Sequence, residues 1–109
     1  MTALESPCQP QCKKKFTVAA GAATNIDSAP LAGGVSRKYF IDFAIPSEDR
    51  YRAVEMFTSR QGTSVTDNVY ARLGDAIDVS LNFVVIGADG VVQVVNNELV
   101  PVTITIFKI

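Results

Sequence analysis

Over residues 37–45 apolar and polar side chains trade places almost one for one. Tyr39, Ile41, Phe43 and Ile45 fall on one side, with Lys38, Asp42 and Ala44 on the other, and Phe40 interrupts the polar set. A period of two marks a half-buried β-strand, because successive side chains of an extended backbone point to opposite faces. The same rhythm returns at 76–86, where Ile77, Val79, Leu81, Phe83 and Val85 oppose Asp78, Ser80 and Asn82. Gly87-Ala88-Asp89-Gly90 breaks it, 91–95 resumes it, and Asn96-Asn97-Glu98 breaks it again. The last run sets Val100, Val102, Ile104 and Ile106 against Thr103, Thr105, Phe107 and Ile109. These three runs predict a local antiparallel meander, with Gly90 as a left-handed turn residue. Pro101 has no amide donor, so its strand must lie at an edge or begin pairing after it.

Earlier segments follow suit. Strands are expected at 16–20, with Phe16 and Val18 on one face, at 26–31 as a short edge, and at 65–73 with an irregularity near Asp67-Asn68. The stretch 48–60 admits two readings. Ser47 can cap a helix that stops at Gly62, placing Tyr51, Val54 and Phe57 together. Alternation of Tyr51, Ala53, Glu55 and Phe57 against Arg52, Val54 and Met56 gives a strand, preferred because its neighbours are strands. The fold class is therefore mainly β, an antiparallel β-sandwich or jelly-roll-like domain of about seven or eight strands, with a short helix around 48–60 as the variant. A charge at Phe83 or Ile104 is expected to unfold it, since each large apolar side chain contributes roughly 1.5–3 kcal/mol on leaving water.

Composition narrows the function. The 109 residues allow one domain, assigned to 16–109, preceded by an extended N-terminal arm at 1–15. In that arm Pro7, Cys8, Pro10 and Cys12 favour open backbone and Lys13-Lys14-Lys15 adds positive charge. Alone such an arm should be mobile, and contact with a neighbouring chain would order it. Ten basic and eleven acidic residues nearly cancel, at a net charge of −1, which argues against a nucleic acid partner. No run is long and apolar enough for a membrane span, and no secretory signal opens the chain, so synthesis and residence in a cytoplasm are expected.

Chemistry is sparse. With no histidine the common general base and the imidazole-dependent triads are missing. Cys8 and Cys12 are read as free thiols, with a disulfide or half of a shared zinc site as the alternatives. The carboxylates Glu48, Asp49, Asp75 and Asp78 are read as turn and cap residues, and no cofactor or metal is expected. The chain is thus read as a non-enzymatic structural subunit of an oligomeric assembly. In architecture it resembles phage and viral capsid, decoration or spike proteins, which implies a virion location. The subunit-contact candidates are Pro7, Cys8, Pro10, Cys12, Lys13, Lys14, Lys15, Phe107 and Ile109. The alternative is a ligand- or carbohydrate-binding sandwich module, with Tyr51 and Tyr70 as contact candidates.

Overall fold

The computed structural model describes residues 13–32, 34 and 36–108. Pro7, Cys8, Pro10, Cys12 and Ile109 lie outside them. The described residues form eight strands: β1 (Lys13–Val18), β2 (Ala23–Pro30), β3 (Ser36–Ile45), β4 (Arg50–Gln61), β5 (Ser64–Gly74), β6 (Val79–Ile86), β7 (Asp89–Asn96) and β8 (Val102–Lys108). They make two antiparallel sheets, ordered β1-β8-β3-β4-β5 and β2-β7-β6. The inward faces meet in one core. Tyr39, Ile41, Phe43 and Ile45 of β3, Val54 and Met56 of β4, and Ile104 and Ile106 of β8 pack against Ile26, Phe83, Val92 and Val94. This is the β-sandwich that period-two burial requires.

Several expectations are sharpened or corrected. Residues 50–61 are a strand, and the only helical turn in the region is a 3-10 turn at Pro46–Glu48. It ends on Asp49 in the left-handed region, φ 52°. The three C-terminal runs do not share a sheet. β6 and β7 pair as a hairpin, whereas β8 crosses to the opposite sheet and lies between β1 and β3. Alternation fixes which side chains are buried, not which partner buries them. Pro101 immediately precedes β8, so its missing donor costs the ladder nothing. The first strand starts at Lys13, three residues before Phe16, and the lysine run is paired with β8.

The turn glycine is also displaced. Gly87, at φ 62°, opens the two-residue loop between Ile86 and Asp89, and Gly90 is not among the positive-φ glycines. Gly90 instead lies in β7 against Arg60, a fully buried side chain at the end of β4. Arg60 Nε donates to the Gly90 carbonyl at 3.0 Å, and its guanidinium sits 4.7 Å from the Phe83 ring centroid. A Cβ on Gly90 would come within 2.8 Å of Arg60 Nε and 2.9 Å of its Cγ. Gly90→Ala is therefore expected to lower stability by about 1–3 kcal/mol through overpacking. Urea unfolding monitored by circular dichroism checks this, and an unchanged midpoint would show that Arg60 has room to move.

Candidate interaction surface

In a paired sheet, residues opposite one another in register share a face, so the outer face of the five-stranded sheet can be read row by row. One row runs Lys13, Phe107, Phe40, Glu55, Tyr70 across all five strands. The next runs Lys15, Thr105, Asp42, Ala53, Leu73. Beyond it Thr17, Thr103, Ala44 and Tyr51 align, and on the other side Lys38, Phe57 and Asn68. Four large apolar or aromatic side chains of this face are strongly exposed: Phe40 at 44%, Tyr51 at 50%, Phe57 at 51% and Leu73 at 71%. A contiguous exposed apolar patch rimmed by polar groups is characteristic of a contact surface.

The structure thus gathers several candidates from separate parts of the chain. Lys13, Lys15 and Phe107 share the face with Tyr51 and Tyr70, and Lys13 Nζ lies 5.6 Å from the Phe107 ring centroid. Lys14 is separated from them by strand alternation. It pairs with buried Ile106 and lines an open groove of about 420 Å³ between the sheets, with Phe16, Asp27, Ser28, Ile86 and Asp89. Tyr51 and Tyr70 do not form one site: Tyr51 and Glu55, the residue opposite Tyr70, are four positions apart on β4, about 13 Å at the rise of a strand. Sequence reasoning passed over Phe40, Phe57, Leu73 and Glu55 as contact residues. For Phe40, Phe57 and Glu55 the signal was parity, since each falls on the polar register of a strand whose other register is the core. Leu73 has the parity of Val65 and Val69, which pack on the core, and only the register shift opposite Ala53 and Glu55 brings it to this face.

A shallow groove of about 360 Å³ crosses this face beside Asp42, Ala44, Tyr51, Ala53 and Leu73. The small side chains of Ala44 and Ala53 lie between the bulk of Tyr51 and Leu73, which makes a depression with one carboxylate beside it. Among the described residues no group of three or more acidic, cysteine or histidine side chains is placed to hold a metal. No helix there is long and apolar enough to cross a membrane.

The acidic residues noted in the sequence hold turns. Asp75 accepts from the Tyr51 amide at 2.9 Å, and Glu48 pairs with Arg50 at 2.8 Å. Arg50 also grips both oxygens of Glu98, at 3.1 and 2.9 Å, and Glu98 accepts from the Asp78 amide at 2.6 Å. Arg50 first, then that amide, hold the Glu98 carboxyl below its ordinary value near 4.5. A carboxyl depressed in the folded state stabilises fully above its unfolded value, and the contribution vanishes as pH falls through the folded one. Glu98→Gln is accordingly expected to flatten the acid side of the stability profile below about pH 4.5. Melting temperatures from pH 2 to 7, on a grid suited to carboxyl titration, check this; parallel profiles for parent and variant would contradict it.

A second polar cluster is buried. A register shift between Asn25 and Asp27 turns the adjacent Ile26 and Asp27 both inward. The Asp27 carboxylate accepts from the Tyr39 hydroxyl at 2.5 Å and pairs with Arg37 at 3.1 Å and Lys108 at 3.4 Å. Burial, then the bond to Asp27, push the Tyr39 phenol above its ordinary value near 10. The groups are mutually satisfied except at Arg60, whose Nη1 and Nη2 have no hydrogen-bond partner.

No protein-family model matches the chain, and no curated protein matches its sequence. Two solved structures share its fold. The tailspike protein of Acinetobacter phage vB_ApiP_P1 aligns over 89% of this chain with a TM-score of 0.65 and 10% identity. The tailspike protein of Acinetobacter baumannii phage AM24 aligns over 89% with a TM-score of 0.50 and 7% identity. This chain spans 21% of the first tailspike and 26% of the second. At such identities the likeness is one of fold.

Proposed function

We propose that this chain is a non-enzymatic structural domain of a phage particle, working in an oligomeric spike, capsid or decoration-type assembly. It is made in the host cytoplasm and resides in the virion, and residues 1–15 contact neighbouring copies. One observation carries the reading: nearly the whole chain, 89%, has the fold of a segment of a phage tailspike protein. The exposed aromatic face supports it, because an isolated domain gains nothing from leaving Phe40 and Phe57 in water. The test is protein identification by mass spectrometry in purified particles from cells carrying the gene. Its presence in intact particles is the expected result, and particles that assemble without it overturn the reading. Removing residues 1–12 leaves β1 whole and is expected to limit growth of the assembly, read by sedimentation.

The groove beside Tyr51 favours a second reading, a ligand- or carbohydrate-binding module in which Tyr51 and Tyr70 supply aromatic faces. Binding to an oligosaccharide array that disappears on Tyr51→Ala would support that use of the face.

A further inference from the structure

We propose that two copies of this chain pair through the outer face of the five-stranded sheet, about a two-fold axis running along the strands between β8 and β3. The inference rests on the reading of the chain as an assembly domain and names the surface that does the assembling. Its basis is the order of side chains across the strands. The row Lys13, Phe107, Phe40, Glu55 occupies β1, β8, β3 and β4 in turn. A two-fold axis between the middle two strands reverses that order in the facing copy. Phe107 then lies over Phe40, Lys13 lies over Glu55, and each pair occurs twice.

Neighbouring rows obey the same operation. Thr105 lies over Asp42, where a hydroxyl can donate to the carboxylate, and Lys15 lies over Ala53, one strand from Asp42. Thr103 meets Ala44, and Thr17 meets Tyr51. Lys15 and Tyr51 each meet a small residue, the two central pairs are small on both sides, and in these three rows no like charges are opposed. Isologous pairing demands self-complementarity of this kind. Face-to-face sheets stack about 10 Å apart, a gap that interleaved phenylalanine rings fill.

The experiment is sedimentation equilibrium of the full 109-residue chain and its variants. A dimer is expected, persisting when residues 1–12 are removed, because the paired rows begin at Lys13. Lys13→Glu and Glu55→Lys each place like charges opposite one another twice, and each is expected to weaken the dimer about ten-fold or more. Combined in one chain they restore opposite charges, and affinity should return to within about three-fold of the parent. Phe40→Ser should abolish pairing, with an unchanged circular dichroism melt confirming that the exposed position is not needed for folding. A monomeric parent, an oligomer indifferent to these residues, or a double variant no tighter than its singles overturns the proposal. So does oligosaccharide binding at this face to a parent that stays monomeric. Particle incorporation is scored separately: a monomeric chain found in virions sinks this surface and leaves the structural role standing. A charge-dependent dimer absent from virions does the reverse.

Discussion

Asn96→Ala is expected to lower the unfolding free energy by about 2–4 kcal/mol, because it strips partners from one buried and several part-buried backbone groups at once. Asn96 is fully buried at the end of β7, where the chain leaves one sheet for the other. Its Nδ2 donates to the carbonyls of Val18 at 3.0 Å and Val100 at 2.9 Å, with Ala19 at 3.2 Å sharing a proton. Its Oδ1 accepts from the Glu98 amide at 2.8 Å. One side chain therefore ties the β1–β2 corner to the β7–β8 crossing. Alanine deletes both halves of this clasp and leaves those groups without partners. Asn96→Asp should fare no better, since a carboxylate has no proton to offer the carbonyls. Denaturant titration with an unchanged slope checks the value, and a loss under about 1 kcal/mol would mean that water takes over the contacts.

Asp27→Asn is expected to cost about 3 kcal/mol, although the change keeps the side chain's shape. The carboxylate is the one negative group described in a cluster holding Arg37, Lys108, the Tyr39 hydroxyl and, acting on the same phenol, Arg60. Removing its charge takes away the carboxylate that shares the Tyr39 phenol with the buried Arg60 guanidinium. The amide retains an oxygen for Tyr39 and Arg37 but turns an NH2 donor toward Lys108, so the loss combines the charge with one acceptor. Salt should recover little of it, because buried pairs are weakly screened. Urea unfolding at low and high ionic strength measures both effects. Stability within about 1 kcal/mol of the parent would show that the charge contributes no more than an amide does.

These two residues mark where sequence reasoning stops. Asn96 was legible as a turn former and Asp27 as a polar residue in an edge segment, yet both act as buried hubs. Nothing local distinguishes a solvated turn asparagine from one whose amide reaches three carbonyls, because those carbonyls come from other parts of the chain. Arg60 differs: it continues the parity of Val54 and Met56, so carrying the alternation through residues 59–61, which the sequence suggested as a loop, would have placed it inward. The contact face was half visible. Lys13, Lys15, Phe107, Tyr51 and Tyr70 were candidates in two separate groups, and only the register joined them.

Alternation by itself determined that the chain is β-rich, which side chains leave water, and where most strands run, because a pleated backbone alone sets that period. Pro101, through a missing donor, limited its strand to an edge or to a start beyond it, and the structure chose the second. Sheet membership was decided by tertiary structure: β8 leaves its hairpin neighbours to pair between β1 and β3, a choice made by long-range packing and the Asn96 clasp. The outer face arose from the same choice. Lys13, Phe107, Phe40 and Glu55 are distant in the chain, and only hydrogen-bonded register sets them side by side.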